Sequence, residues 1–387
     1  MFEARIPFDY GVTIQWVIPM LVFVYVQAIL VQLPRTRLLR ITILLPGLLF
    51  LTQCARIDCT ANSSPELRPG LAYLNLQVAT HVFSLAMRFV VYGVVCRPYR
   101  RIGQLESPSL GQVLLNAGDL IVNARGVSWS WGVLRENTSP NAGRWSAICY
   151  SSGLVAIHAY LIKPVAHVIH ALNPALRDPV GASLYYPPPV GHTLPIDIHP
   201  LIAFRLSPLL ITICLGVIIN AGVVYSYNFL RIIALLAGGD LARWPHIVNA
   251  PWAATSLRDL WNRRWHQIYR HSFKVLGVQP ARALGTWIGG KAFGSVAGLL
   301  GGFALSACLH IAQIWGLGHG ADVVRPAVFF VMMAVGIAME YGWQFMTGRH
   351  VCGLAGWVWT YGWTVWWGQY LVEAYCLKGL LGQDCYK

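Results

Sequence analysis

The chain has 387 residues, of which 56% are hydrophobic and only 11% charged, with a net charge of +14 and a mean hydropathy of +0.52. A soluble domain is nearer a quarter charged, so that class is excluded, and continuous apolar runs exclude the short alternating segments of a β-barrel. A +14 charge confined to a few loops points to membrane orientation and to anionic ligands or lipids before nucleic acid. The expected class is all-α: a polytopic transmembrane helical bundle forming a single integral membrane domain over 1–387.

The first apolar run, about 11–31, is too long for a signal-peptide core and is preceded by Glu3 and Asp9 rather than by basic residues, so it reads as an uncleaved span. A basic loop (Arg35, Arg37, Arg40) leads to a second span, about 41–55. The following loop carries Pro65, Pro69 and the sequon Asn62-Ser63-Ser64, a candidate glycosylation site. The third span, about 71–96, holds His81 and Arg88 on one helix face, and the basic end near Arg97 favours snorkelling for Arg88. Residues 97–147 are basic and contain an amphipathic or re-entrant helix at 113–122. It runs into Asn123-Ala124-Arg125-Gly126-Val127-Ser128-Trp129-Ser130-Trp131, which on periodicity alone is an interfacial turn anchored by tryptophan. Spans at about 148–170 and 205–236 flank a proline-rich stretch with Pro187-Pro188-Pro189. Three further apolar runs, about 290–315, 326–346 and 351–376, bring the count to about eight.

Placing the N-terminus outside gives 17 Lys and Arg in the inside loops and 7 outside, the asymmetry expected of an inside-positive chain. Asn62 then faces the glycosylation-competent side and Asn137-Thr138-Ser139 does not. The nine cysteines form no CxxC pair, so no zinc or thioredoxin-like site is indicated. Most read as small apolar residues, with Cys54–Cys59 and Cys376–Cys385 as the spacings that could close a disulfide. No histidine–carboxylate cluster has metal spacing.

The inside loop 237–282 contains Ser256–His271, SLRDLWNRRWHQIYRH, too polar to cross lipid and too aromatic for an ordinary linker. Ser256 with Asp259 forms a capping-box start. As one helix it would carry Leu257, Trp261, Trp265 and Ile268 on one side and Asp259, Asn262, His266 and Tyr269 on another, with Arg258, Arg263, Arg264 and Arg270 between them. A basic amphipathic helix on an anionic surface explains the arginines and tryptophans, but not the aligned Asp, Asn and His. The later span carries Gly298, Gly302, Ser306 and His310 at four-residue spacing, with Gln313 beyond. Small residues so spaced admit a second helix or a ligand. A histidine within lipid is either functional or hydrogen-bonded to a neighbouring helix, and both readings stand on periodicity alone. Ser306 reads as a packing residue, and His319 and His350 as interfacial.

These residues resemble the membrane-bound O-acyltransferase superfamily. Asp259-Leu260-Trp261-Asn262-Arg263-Arg264-Trp265-His266-Gln267 is similar to its wax-synthase-like branch, in which D-x-W-x-R-R-W-H precedes a catalytic histidine in a helix rich in small residues. Asn123-Ala124-Arg125-Gly126 with its tryptophans resembles an element of fungal wax-synthase-like terpenoid and meroterpenoid acetyltransferases. The good match covers 240–345. One departure is that Ile311, not an acidic residue, follows His310.

The resemblance implies an acyl-CoA-dependent O-acyltransferase with His310 as base and Asn262 or His266 as oxyanion donor. It implies acetyl-CoA as co-substrate, no permanently bound cofactor, a hydrophobic terpenoid alcohol as acceptor and an endoplasmic-reticulum membrane. Arg258, Arg263, Arg264, Arg270 and Lys274 suit the donor's phosphates, and Trp261 and Trp265 suit anchoring. Asp259 either orients Arg263 at i, i+4 or caps the helix. The chemistry agrees: a neutral imidazole in a low-dielectric site can take the hydroxyl proton, and an amide can hold the developing oxyanion. A long-chain donor with a fatty alcohol, or a transporter using His81, Arg88 and His310, are the competing functions. The transporter predicts polar residues spread over several spans, whereas here they concentrate in one loop and one helix.

Overall fold

A computed structural model describes residues 5–103, 108–132, 143–185, 200–318, 320–383 and 386. Glu3, Asn137-Thr138-Ser139, Pro187-Pro188-Pro189, His319 and Cys385 lie outside the described residues. Helices dominate, with one two-residue parallel pairing, Ile6–Pro7 on Ile57–Asp58. Seven helices are long and apolar enough to cross a membrane among the described residues: Tyr10–Leu30, Arg37–Ala55, Arg68–Val94, Arg144–Leu172, Leu206–Leu236, Arg270–Gly316 and Val324–Thr347. The eighth expected span is a helix, Gly353–Cys376, long enough at about 36 Å. Five tryptophans and polar residues such as Gln369 and Glu373 keep it from the apolarity of the other seven. Glu373 is satisfied inside the protein, accepting from Ser183 Oγ and from the Leu184 amide. The protein is an all-α, multi-pass integral membrane protein.

The chain divides into two compact units, one of residues 1–68, 74–135 and 268–316, the other of 69–73, 136–267 and 317–387.

In the first unit, helix Leu110–Val122 begins with a capping box of Ser109 and Gln112 and buries Val113, Asn116, Ala117 and Leu120, a single stripe at 3.6-residue period. Arg88 does not snorkel. Its guanidinium donates to the Ile121 carbonyl, satisfying an orphan acceptor at that helix's C-terminal end. The element after it is no headgroup anchor either. The Asn123 side chain brackets Val127 through both N–H and carbonyl, Gly126 takes φ +61°, and Trp129 is 1% exposed with its Nε1 on Asp119 Oδ2 at 2.7 Å. A buried indole bonded to a half-buried carboxylate belongs to the core, so the tryptophan alternation turned inward. Arg5 donates to the carbonyls of Trp315 and Gly316 at 2.6 and 2.9 Å. Residues 5–7, 57–58 and 315–316 therefore gather at one end of this unit, as the expected topology requires. Asn62 at that end is exposed, its amide reaching the Phe8 carbonyl. Cys54 and Cys59 are free thiols.

The Arg270–Gly316 stretch is not one crossing. Its backbone breaks at Gly289 and at Gly290, where φ is +76°, and it doubles back as a helical hairpin. A Cβ at Gly301 would stand 2.5 Å from the Gly277 carbonyl, and one at Gly285 2.6 Å from Ala297. The arms therefore touch through backbone, and only glycine permits that approach. The spacing of Gly294, Gly298 and Gly302 seats the hairpin's own first arm.

In the second unit, helices Arg144–Leu172 and Pro200–Leu236 pack antiparallel, pinned by Arg144 to the Gly238 carbonyl and Ser207 to the Leu172 carbonyl. Val324–Thr347 and Gly353–Cys376 complete the unit.

Candidate active site

The 256–271 stretch is not a single helix. One α-turn, Leu257–Asp259, passes into a π-helical turn, Leu260–Arg264, which ends where Trp265 becomes extended. Helix resumes only at Arg270. His266 thus lies beyond the helix end, and the Asn262/His266 stripe on one helical face does not form. The turn starts as the sequence requires, with Ser256 Oγ accepting from the Asp259 amide at 3.0 Å.

The wide turn also explains a change of partner. In a π-turn the bond runs i to i+5, here from the Trp265 amide to the Leu260 carbonyl at 2.8 Å. Five residues, not four, then bring side chains together. Asp259 pairs with Arg264 at 2.5 Å, not with Arg263. Arg264 Nη1 also donates to the Ala250 carbonyl at 3.2 Å, tying the turn to the preceding loop, where Ala250 sits at φ +41°.

Sequence reasoning missed what holds this turn. Glu340, 8% exposed on the helix Val324–Thr347, accepts from the Leu257 amide at 2.6 Å and the Arg258 amide at 3.1 Å. The Trp359 indole donates to the same carboxylate at 3.1 Å. A carboxylate on the first free amides of a helix satisfies orphan donors and the positive end of the dipole together. One turn away, a Cβ at Gly336 would stand 2.5 Å from Leu257 Cδ1, so that glycine clears space for the leucine. Further along the same helix, Phe329 and Phe330 hold the Trp261 ring, with centroids at 6.4 and 6.3 Å. From Glu340 to Phe330 is ten residues, about 15 Å of helix. The turn therefore descends along a membrane span and is not confined to a surface loop. A lone glutamate in an apolar run was the available signal.

The remaining positions divide clearly. Asn262, Arg263, Arg270 and Lys274 are exposed. Arg258 lies over the Tyr341 ring at 5.3 Å and reaches Gln344. Trp265 packs on the His266 ring with centroids 4.9 Å apart. Loss of hydration lowers the His266 pKa to about 4, so its imidazole is neutral at pH 7 and can both donate and accept.

In the first unit, Tyr269 takes a hydrogen bond from Ser84 Oγ at 3.1 Å. His271 bonds Tyr99 Oη at 2.7 Å and lies 4.2 Å from the Trp131 ring. The 123–131 element is thereby fastened to the end of the central stretch. His310 is half-buried on the second hairpin arm. Continuing the arm register set at Gly277 and Gly301 places it level with Tyr269 and Arg270, where the stretch enters this unit. Asn262 and His266 stand in the other unit. No group of three or more His, Cys, Asp or Glu among the described residues could hold a metal ion.

Residues 244–332 match the model of the membrane bound O-acyl transferase family, which places the central stretch, its turn and His310 in one family segment. An acetyltransferase of Calcarisporium arbuscula, aurG, is 28% identical over 159 residues, covering 38% of each chain. A protein of Arabidopsis thaliana named "probable long-chain-alcohol O-fatty-acyltransferase 7" is 26% identical over 144 residues, covering 37% of each. Each match thus spans under two fifths of its relative's length. The resemblance drawn from the Asp259–Gln267 motif holds over this segment.

Proposed function

We propose that the protein is an acyl-CoA-dependent O-acyltransferase in which His310 takes the acceptor's hydroxyl proton as the alkoxide attacks the thioester carbonyl. The observation that carries this reading is the family segment with its motif built as a held turn. Ser256, Glu340 and the Asp259–Arg264 pair fix the backbone on either side of Asn262, the candidate oxyanion donor, with His266 the second candidate. A fixed donor is worth about 3 kcal/mol to such a step. Arg263, Arg270 and Lys274, exposed and uncommitted to the turn's own hydrogen bonds, are the better donor-phosphate ligands. Arg264, and to a lesser degree Arg258, serve the turn itself. Asp259 acts by orienting Arg264.

The acyl group proposed is acetyl and the acceptor a terpenoid or meroterpenoid hydroxyl. This rests on the likeness of the 123–131 element and on the fungal acetyltransferase. The plant relative's name supports a second reading, a long acyl chain passed to a fatty alcohol. The membrane proposed is the endoplasmic reticulum, with Asn62 glycosylated on its lumenal side; a deglycosidase mobility shift lost in Asn62→Gln tests this. For the reaction itself, microsomes from an expressing host are offered acetyl-CoA or palmitoyl-CoA with mixed alcohols, and products are read by mass spectrometry. An acetylated terpenoid supports the proposal, a wax ester supports the second reading, and an active His310→Ala variant removes the base assignment.

A further inference from the structure

We infer a second, buried oxyanion site in the unit of residues 136–267, centred on Arg231 and taking a phosphate group. Arg231 lies on the helix Pro200–Leu236, 7% exposed, yet its Nε and Nη1 make no hydrogen bond among the described residues. No carboxylate pairs with it among those residues. Arg5, Arg40 and Arg88, in and beside the spans, each donate to at least one carbonyl, although Arg5 Nη1 and Arg40 Nε are also unbonded. Arg40 donates to the carbonyls of Tyr92 and Val95, Arg88 to Ile121, and Arg5 to Trp315 and Gly316. A guanidinium stripped of water and left without an anion is strongly disfavoured, and an intramembrane charge is functional by default.

Polar groups stand around the guanidinium. Asn220 stands eleven residues from Arg231, on the same helical stripe, and Asn228 one turn from it. Asn228 is 3% exposed. Its Nδ2 binds the Val224 carbonyl, while its Oδ1, like that of Asn220, is buried and unbonded; both oxygens are acceptors, so they suit hydroxyl or amide hydrogens of the phosphate-bearing molecule and not its phosphate oxygens. The neighbouring helix supplies a hydroxyl. Its antiparallel register, fixed by the Arg144–Gly238 and Ser207–Leu172 bonds, puts Ser151 level with residues 228–231. Ser151 is 0% exposed and its Oγ also lacks a partner.

The segment 240–246 covers this end of the helix pair. Tyr227 Oη donates to the Pro245 carbonyl at 2.5 Å, Trp244 packs on the Tyr227 ring at 5.6 Å, and His246 on Tyr150 at 5.8 Å. By the charge asymmetry this is the inside face, where phosphate-bearing molecules are met. A fixed guanidinium with a hydroxyl beside it offers a phosphate charge-assisted bonds in a low-dielectric setting.

Two molecules present that chemistry: the acyl donor and an anionic phospholipid. The choice of donor as a probe rests on the proposed function, but the measurement is binding and does not depend on turnover. The full-length protein in nanodiscs is compared with Arg231→Met and Arg231→Lys by thermal midpoint and by ligand titration. The probes are coenzyme A, pantetheine (the same thiol arm without phosphates) and phosphatidylinositol added to a phosphatidylcholine bilayer. Without ligand, Arg231→Met melts at or above wild type, since it removes an uncompensated buried charge. Coenzyme A, or phosphatidylinositol, stabilises wild type while pantetheine does not, and Arg231→Met weakens that binding about tenfold or more, with Arg231→Lys between. Stabilisation by coenzyme A assigns the site to the donor, and stabilisation by phosphatidylinositol assigns it to lipid. An unliganded Arg231→Met that melts well below wild type, or equal binding of every probe by both proteins, overturns the site. A protein that binds coenzyme A normally but transfers no acyl group would instead overturn the proposed function.

Discussion

Replacing Glu340 with glutamine tests how the central turn is held, independently of any activity. The carboxylate's Oε1 accepts both the Leu257 amide at 2.6 Å and the Trp359 indole at 3.1 Å, and Oε2 accepts the Arg258 amide at 3.1 Å. Glutamine keeps one oxygen and sets its NH2 against a donor. One charge-assisted bond of about 1.5–3 kcal/mol is lost, along with the charge at the helix start. Local opening of the turn should therefore become easier by about 2 kcal/mol, roughly thirty-fold in its opening equilibrium. Glu340→Ala, which strands all three donors, should cost about 3–5 kcal/mol. Hydrogen exchange by mass spectrometry on the full-length protein reads this at peptides spanning residues 256–265. Exchange should accelerate there in the order alanine over glutamine over wild type, while peptides in 144–172 stay unchanged. If both variants leave residues 256–265 at wild-type exchange rates, Glu340 does not hold the turn and the reasoning fails.

Three further outcomes are expected. Asp259→Asn and Arg264→Gln should be non-additive, with a coupling of about 1 kcal/mol or less for a pair still partly exposed to solvent; thermal midpoints of the two single variants and the double read it, and Arg263→Gln should show no coupling to Asp259. Gly301→Ala should destabilise by about 1–3 kcal/mol, because its Cβ would stand 2.5 Å from the Gly277 carbonyl; a wild-type melting temperature would contradict the hairpin. His266 is held neutral, with its pKa lowered from 6.5 to about 4, so the unfolded chain takes up a proton that the folded protein refuses. Its contribution is fully present above about pH 6.5 and is lost as pH falls from there toward 4, with a slope of up to about 1.4 kcal/mol per pH unit. His266→Gln should flatten the stability–pH curve in that window, and an unchanged curve would count against the burial of the ring.

The apolar runs, their lengths and the distribution of Lys and Arg determined a great deal: the class, the positions of the spans and the gathering of residues 5–7, 57–58 and 315–316 at one end. These are properties of composition and of transfer to lipid, additive along the chain and therefore legible without a fold. The Asp259–Gln267 motif likewise sufficed to find the family segment. The tertiary structure decided whatever depended on partners distant in sequence. A start at Ser256 was readable from local capping, but where the helix ends was not. A π-turn is sustained by Glu340, Gly336, Phe329 and Phe330, which lie some seventy or more residues away, and with it Asp259 exchanged Arg263 for Arg264. The tryptophans of 129–131 look interfacial by hydropathy because indole suits both headgroup and core, and only Asp119, Tyr99 and His271 settle the choice. Gly289-Gly290 is a turn signal by composition and falls where the apolar run 290–315 begins, but the charges of 237–282 make the hairpin's first arm look like loop, and only its close approach to Gly294, Gly298 and Gly301 on the second arm decides it.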